Sequence, residues 1–246
     1  INGGTVQIDQ AARLGNTVSN LELRGGTLFS TANMTISNRT IILGGDGGNF
    51  RVAANTTNFI ANVVSETNFL GGTRANNGHG DLIKTGAGTL ELGTTAGATN
   101  ELTAPYNMYQ GLTDVHEGTL RLMSVNNQVL GTSKSFYDGT IVRDGATLAL
   151  GRNSTGSVVG TTYSLMEWMT FEQGSTLRVE DPGPSYQSPS IHGVINFAGD
   201  ATVWVQTDEF NFNSAGAGYV MGSGSIIKDG DGTLRLYGYS PEFTGG

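Results

Sequence analysis

A five-residue pattern recurs along the whole chain: a small residue, a threonine, an apolar residue, any residue and a second apolar residue. Because side chains alternate between the two faces of a β-strand, each copy predicts a short strand with one buried and one exposed face. A repeat period of about 20–50 residues is typical of solenoids, propellers and repeat arrays. The threonines that mark the copies are Thr5, Thr27, Thr89, Thr119, Thr147, Thr176, Thr202 and Thr233.

The spacing between copies favours one of these architectures. Successive threonines are 22, 62, 30, 28, 29, 26 and 31 residues apart. The interval of 62 is close to two ordinary intervals, so we expect a degenerate copy between Asn49 and Asn58. A propeller blade needs four strands and about 40 residues or more, which is longer than most of these intervals. We therefore predict an all-β protein whose residues 1–246 form a single parallel β-helix of about nine coils.

The strand pattern also predicts how the core is built. Coils of a parallel β-helix lie about 4.8 Å apart, so equivalent side chains stack on one another inside the helix. Each buried leucine contributes about 1.5–3 kcal/mol. No sustained helical periodicity competes with the strands, and the glycine-rich tracts at 44–48 and 215–218 are expected at corners. The internal column should contain Leu90, Leu120, Leu148 and Leu177.

Composition limits the functions that the chain can have. The net charge is -8, with 13 basic residues dispersed along the sequence, so we expect no nucleic-acid partner. The chain has no Cys, and therefore no disulfide, Cys metal ligand or Cys nucleophile. No stretch approaches the roughly 18 continuous apolar residues of a membrane helix, so the chain is not predicted to span a membrane.

A longer similarity relates Gly78–Leu92 to Gly222–Leu236. The offset is 144 residues throughout, and nine of the fifteen positions are identical. The shared pattern reads G-x-G-x-[LI]-I-K-x-G-x-G-T-L-x-L. This long motif is far more specific than the G-T-L pattern alone.

The long motif closely resembles the autotransporter-associated β-strand repeat, also called the passenger-associated transport repeat. In that family an aromatic residue, a Gly and a T-x-V-x-x-G-T-L segment follow the motif. The resemblance covers most of Asn38–Leu122 and, incompletely, Gly222–Gly246. It implies a right-handed β-helix in a secreted bacterial surface protein, whose stalk holds adhesive or enzymatic loops away from the cell. The matching residues are Tyr109, Gly111, Thr113, Val115, Gly118, Thr119 and Leu120.

The two ends of the chain also align with its interior. Tyr239–Gly246 matches the residues before Thr113, and Ile1–Thr5 matches Val115–Thr119. Placed tail to head, the chain resumes its own pattern with about two residues missing. We therefore expect an interior segment of a longer repetitive chain, whose partners are other copies or further repeats joined end to end. Surface glycans or host-surface ligands are further candidate partners.

No catalytic, cofactor or metal residues are assigned from the sequence. Asp229 and Asp231 could suggest calcium, but the other ligands of a calcium loop are missing, so turn formation is favoured. In the sister copy these positions are Thr85 and Ala87. The histidines are far apart in sequence and predict no metal site; they are His79, His116 and His192.

The alternative function is that of a carbohydrate-active enzyme, since polysaccharide lyases and glycosidases also use β-helices. Such enzymes need clustered carboxylates. Stacking would bring Glu180 and Asp181 near Asp208 and Glu209, about one coil later. We favour an acidic rim on a longer loop, and a structural or adhesive role at an extracellular or outer cell-surface location. Aromatic side chains that could add a sugar-stacking platform are Trp168, Tyr186 and Trp204.

Overall fold

The structure is a computed structural model. It describes residues 1–16, 19–66, 79–93, 107–123, 129–131, 139–151, 164–165, 167–180, 190–212, 218–238 and 240–246. These residues form short β-strands and one 3-10 helix, Ala11–Leu14. The strands in chain order are β1 Thr5–Ile8, β2 Leu21–Leu23, β3 Gly26–Ser30, β4 Met34–Ile36, β5 Ile41–Leu43, β6 Gly48–Val52, β7 Thr57–Ile60, β8 Val64–Glu66, β9 Leu82–Thr85, β10 Thr89–Leu92, β11 Thr113–Val115, β12 Thr119–Leu122, β13 Thr140–Val142, β14 Thr147–Leu150, β15 Ser164–Leu165, β16 Met169–Phe171, β17 Thr176–Val179, β18 Ser190–Ile191, β19 Ile195–Phe197, β20 Ala201–Val205, β21 Glu209–Phe212, β22 Val220–Met221, β23 Ile226–Asp229 and β24 Thr233–Leu236.

The strands stack into long sheets that run along the axis of a solenoid. The first face is a nine-stranded sheet in the order β1-β3-β6-β9-β11-β13-β16-β19-β22, and the second face is an eight-stranded sheet in the order β4-β7-β10-β12-β14-β17-β20-β23. The third face comprises the three-stranded sheet β2-β5-β8 and the four-stranded sheet β15-β18-β21-β24. Every pairing between these strands is parallel, so the predicted all-β parallel solenoid is confirmed.

The predicted internal column is confirmed on the second face. Leu90 pairs with Leu120, Leu120 with Leu148 and Leu148 with Leu177, and all four are buried. Their outward neighbours Glu91 and Arg121 are only partly buried, as the alternation predicts. The buried residues from Ile8 to Val220 form one continuous hydrophobic cluster, so the core runs along the axis.

The G-T-L copies do not all lie on one face of the solenoid. Thr5 and Thr27 pair on the first face, and Thr89 through Thr202 lie on the second. Thr233 pairs with Glu209 on the third face. The five-residue pattern specifies a strand that follows a corner, and any corner of the coil can use it. The interval of 62 residues therefore separates two threonines that lie on different faces. Thr27 pairs with Asn49 on the first face, whereas Thr89 pairs with Thr57 on the second.

The long motif is a strand, a corner and a second strand, and its two copies are rotated by one face. In the first copy β9 lies on the first face and β10 on the second. In the second copy β23 lies on the second face and β24 on the third. The corner glycines Gly86 and Gly230 have positive φ values of 74° and 78°, a conformation that glycine adopts without a steric penalty. Gly47 plays the same part in the predicted corner before β6, while most of the tract at 215–218 lies outside the described residues.

One local element departs from the all-strand expectation. Between β1 and β2, where other coils have a second-face strand, the chain forms the 3-10 helix. It lies next to β4, the last strand of the second face at this end. The buried Arg39 guanidinium donates to the carbonyl oxygens of Leu14, Gly15 and Asn16 and so fixes the end of this helix. A covered sheet edge is protected against pairing with another strand.

Candidate functional site

The surfaces on which one coil stacks on the next are the candidate functional site, and the lysine of the long motif lies at their centre. Lys84 occupies an inward position, between Phe50 of the preceding coil and Val115 of the next. Its side chain is fully buried. Its ammonium group donates to the carbonyl oxygens of Thr85 and Gly86 in its own corner, at 3.0 and 2.7 Å.

A third contact of this ammonium group joins two coils. Lys84 Nζ lies 2.8 Å from the carbonyl oxygen of Glu117, and the Glu117 carboxylate accepts a hydrogen bond from the Gly86 amide at 2.9 Å. Burial lowers the pKa of Lys84 to about 8, because the penalty of removing its charge from water exceeds the favourable effect of Glu117. The corner is therefore held by a cation that is still charged at neutral pH.

The second copy of the motif reproduces the same corner with one contact fewer. Lys228 Nζ donates to the carbonyl oxygens of Asp229 and Gly230 at 2.7 and 2.8 Å, the counterparts of Thr85 and Gly86. Lys228 is exposed, because β23 is the last strand of the second face. The lysine is thus a built-in part of the corner, whether or not another coil covers it.

An arginine clamps three successive coils on the outside of the first face. Arg143 donates to both carboxylate oxygens of Asp114 in the preceding coil, each at 2.8 Å. It also donates to Glu172 in the next coil, at 2.8 Å. Bidentate guanidinium–carboxylate pairs are among the stronger charge-assisted hydrogen bonds. The bonds to Asp114 hold the pKa of Arg143 above its usual value. The ring of His116 lies 3.0 Å from the same Asp114 carboxylate.

A second clamp lies on the second face. Arg121 pairs with Glu91 of the preceding coil at 3.1 Å and with Glu180 two coils further on. The Arg121 side chain can extend across the coil in between because the residue there is Ala149, whose side chain is short. Ala149 lies between Arg121 and Arg178 in the same outward column. Arg178 in turn stacks on the Trp204 ring at 4.9 Å. The charged side chains of this face therefore join coils to one another.

A buried carboxyl group lies inside the solenoid near the first face. Glu167 is almost fully buried and accepts a hydrogen bond from the Thr140 hydroxyl at 3.3 Å. Thr140 pairs in register with Thr113, whose hydroxyl group lies 2.7 Å from that of Tyr109. Burial raises the pKa of Glu167 to about 8, so the group is largely protonated at neutral pH. A neutral carboxylic acid is far cheaper to bury than a carboxylate.

The candidate carboxylate cluster is not assembled by the described residues. The register of β17 and β20 continues from Val179 and Val205, which places Gln206 beside Glu180. Glu180 is taken up by Arg121 and Arg178, and Glu209 pairs with Arg235 of the next coil at 2.7 Å. Asp208 forms an exposed corner with a positive φ of 55°. Asp181 and Tyr186 lie outside the described residues, whereas Trp168 and Trp204 are partly buried.

The residues considered as metal ligands either lie in corners or pair with a nearby side chain. His79 lies 3.8 Å from the buried Glu66, and His192 lies 2.8 Å from the Ser190 hydroxyl. Asp229 accepts a hydrogen bond from the Gly230 amide within its own corner, as expected for a turn residue. Across the described ranges, no three His, Asp or Glu residues come together in a way that could hold a metal ion.

The coil-joining roles of Lys84, Arg121 and Arg143 were not predicted from the sequence. For Lys84 a signal existed, because Lys is one of the identical residues at the offset of 144. For Arg121 and Arg143 the partners lie one or two coils away in sequence, at separations that only the register reveals.

Comparison with known proteins gives one informative relative. The chain is 29% identical over 256 aligned residues to the Adhesin BmaC autotransporter of Brucella suis biovar 1 (strain 1330), an alignment that covers 98% of this chain. The chain spans only 6% of that relative's length. The resemblance to autotransporter passengers is confirmed by this match. No family model matches the chain, and no solved structure matches it. Within the described part of the chain, no helix is long and apolar enough to cross a membrane.

Proposed function

We propose that this chain is a structural stalk segment of a secreted bacterial surface adhesin, a right-handed parallel β-helix of about nine coils that continues end to end. The observation that carries the proposal is the parallel register along the second face, unbroken from β4 to β23. Right-handed geometry is by far the commoner one for parallel strands joined by crossover connections. Similarity to an autotransporter adhesin supports a location at the outer cell surface.

The mechanism is mechanical. Apart from Arg121, which also reaches Glu180 two coils further on, the coils are joined to their immediate neighbours, so the stability of the rod is approximately a sum over adjacent coils. The buried columns, the Lys84 corner and the clamps of Arg121 and Arg143 all join one coil to another. A rod of this kind holds other parts of a surface protein away from the cell. The role is non-enzymatic, which agrees with carboxylates that are neutralised by arginines.

The test is a deletion of one whole coil in the surface protein that carries this segment. Deleting residues 119–146 joins Gly118 to Thr147, the register partner of Thr119, and so preserves the alternation of the strands. If the segment is a stalk, the surface protein should still mediate adhesion, and it should become shorter by about 4.8 Å. The matched control deletes residues 119–145, which shifts the register by one residue and turns the core side chains outward.

Two results would contradict the stalk. One is loss of adhesion after the register-preserving deletion, with the protein still folded and displayed. The other is competition, in which the isolated 246-residue chain blocks adhesion of intact cells. Either result would mean that this segment itself contacts the ligand.

A further inference from the structure

The corner between β13 and β14 carries an Asp-Gly pair, Asp144–Gly145, in the middle of the solenoid. β13 lies between β11 and β16 on the first face, and β14 lies between β12 and β17 on the second, so the corner has a coil on either side. The Ala146 amide donates to the Arg143 carbonyl oxygen at 3.0 Å and closes a tight turn around the pair. Gly145 has a φ of 69°, a conformation that glycine adopts without a steric penalty.

The carboxylate and the amide of this pair are unrestrained. Asp144 and Gly145 are both exposed. Within the described ranges, neither the Asp144 carboxylate nor the Gly145 amide takes part in a hydrogen bond or an ion pair. A Cβ atom built on Gly145 would have no other atom within 4 Å. The peptide group between the two residues can therefore rotate without the loss of a hydrogen bond.

The pair Asp46–Gly47 is a matched comparison, because its amide is held. The Gly47 amide donates to the Gly44 carbonyl oxygen at 2.8 Å. A Cβ atom on Gly47 would lie only 3.1 Å from the backbone of Asp81 in the next coil. Gly47 is buried, whereas Asp46 is exposed like Asp144. Both carboxylates therefore meet water, and the two pairs differ in the freedom of the glycine amide.

A second comparison is Asp231–Gly232, whose amide is held by the preceding coil. The Gly232 amide donates to the Val205 carbonyl oxygen at 2.9 Å, and a Cβ atom on Gly232 would lie 2.6 Å from the Val205 side chain. At Asp229–Gly230 the amide is bonded as well, to the Asp229 carboxylate at 2.7 Å. Among the Asp-Gly pairs that the structure describes, only Asp144–Gly145 has an amide without a hydrogen bond.

We propose that Asp144 is a site of spontaneous isoaspartate formation. The reaction requires the amide nitrogen of the next residue to reach Cγ of the aspartate, and glycine has no side chain that obstructs this approach. A free amide can turn toward Cγ, whereas a bonded amide must first give up its hydrogen bond. The exposed, unbonded amide of Gly145 therefore makes Asp144 the favoured site, independently of the proposed stalk function.

The reaction is an isomerisation that needs only water. The Gly145 amide nitrogen bonds to Cγ of the protonated Asp144 side chain, and the amide proton and the carboxyl hydroxyl group leave together as water. A cyclic imide results. Water then opens this ring at one of its two carbonyl groups. Opening at one carbonyl restores Asp144, and opening at the other leaves the main chain running through Cβ, which is isoaspartate.

The product would lengthen a corner that is fixed on both sides. Isoaspartate adds one main-chain atom to the turn between Arg143 and Ala146. Arg143 is bonded to Asp114 and Glu172 in the two adjacent coils, and Ala146 is fully buried. The modification therefore lies directly beside the clamp of the first face.

Peptide mapping of the 246-residue chain, aged at mildly acidic pH, tests the proposal. Isoaspartyl peptides have the same mass as the parent peptides, so they are separated by chromatography and identified by methyl transfer with an isoaspartyl methyltransferase. Isoaspartate should accumulate at Asp144 faster than at Asp46 or Asp231 by about tenfold, the rate factor for about 1.4 kcal/mol of activation free energy. Equal or slower accumulation at Asp144 would overturn the assignment.

Two controls separate the fold from the local sequence. In urea the three sites should react at similar rates, because the hydrogen bonds that hold Gly47 and Gly232 are lost. An excess at Asp144 that persists in urea would also overturn the proposal, since it would come from neighbouring residues. Asp144→Glu should abolish the signal at this corner and Asp46→Glu should leave it unchanged. Both side chains are exposed, so both variants should fold, which circular dichroism verifies.

Discussion

The ammonium group of Lys84 lies 2.8 Å from the carbonyl oxygen of Glu117, one coil further along the solenoid. The contact crosses from one coil to the next at a corner, where the parallel ladder of the flat faces is interrupted. The same ammonium group binds two carbonyl oxygens of its own corner, so a single side chain fixes both the corner and its neighbour. The contact therefore ties neighbouring coils together at the corner as well as along the flat faces.

Replacing Lys84 by Met should remove a pH dependence of stability. The pKa of Lys84 is lowered from 10.5 to about 8, so between these pH values the unfolded chain binds more protons than the folded one. The free energy of unfolding therefore gains about 1–3 kcal/mol from this group as the pH rises through the window, and loses it as the pH falls. Met keeps the apolar stem and has no proton to lose. Urea unfolding across this window measures the effect, and exposed Lys228→Met is the control; equal slopes in Lys84→Met and the unmodified chain would refute it.

The contribution of Glu167 to the free energy of unfolding should fall as the pH rises, opposite to that of Lys84, and replacing Glu167 by Gln should remove this dependence. The pKa of Glu167 is raised from 4.5 to about 8, so the folded chain binds more protons than the unfolded chain in this window. Its contribution is fully present below pH 4.5 and is lost as the pH rises through 8. Gln stays neutral and still accepts from Thr140, so at pH 8 the variant should be more stable by about 1–3 kcal/mol.

The measurement for Glu167 is the difference in unfolding free energy between Glu167→Gln and the unmodified chain, from pH 5 to pH 8. The exposed Asp231→Asn variant serves as the control and should show no such trend. A difference that stays constant over this range would mean that Glu167 does not titrate there.

The stacking of coils was predictable from sequence, whereas the face on which each strand lies was not. The column from Leu90 to Leu177 follows from a local alternation that any parallel stacking preserves. The face depends on the number of residues in each coil, which changes wherever a loop is inserted. Thr27 and Thr89 carry the same pattern and lie on different faces, because the pattern marks a strand that follows a corner without specifying which corner.

The coil-joining charges were hidden for a related reason. Lys84 has the same parity as the buried Leu82, yet a charged residue in a strand normally indicates the solvent face. Its three carbonyl partners become visible only when the corner is folded. Arg143 and Asp114 are 29 residues apart, and their pairing requires the length of that coil.

Replacing Leu120 by Ala should show that the internal column carries the stability. Leu120 is fully buried between Leu90 and Leu148, so its truncation leaves a cavity and should cost about 2–5 kcal/mol. Leu236 occupies an inward position at the uncovered end and is 55% exposed, so Leu236→Ala should cost less than about 1 kcal/mol. Urea unfolding of both variants gives the comparison. Equal costs at the two positions would contradict an axial core that is uncovered at this end.

Replacing Arg143 by Met should test whether the outer clamp holds coils together. The change leaves the nearly buried Asp114 without its bidentate partner and removes the bond to Glu172. Loss of a charge-assisted pair with one buried member should cost about 1–3 kcal/mol, and less at high salt because screening weakens the Glu172 pair first. The control is Arg13→Met, which breaks an exposed pair with Asp9 and should cost at most about 0.5 kcal/mol. Unfolding midpoints of both variants at low and high salt measure the effect. If Arg143→Met costs no more than Arg13→Met, the clamp contributes nothing to stability beyond an ordinary surface ion pair.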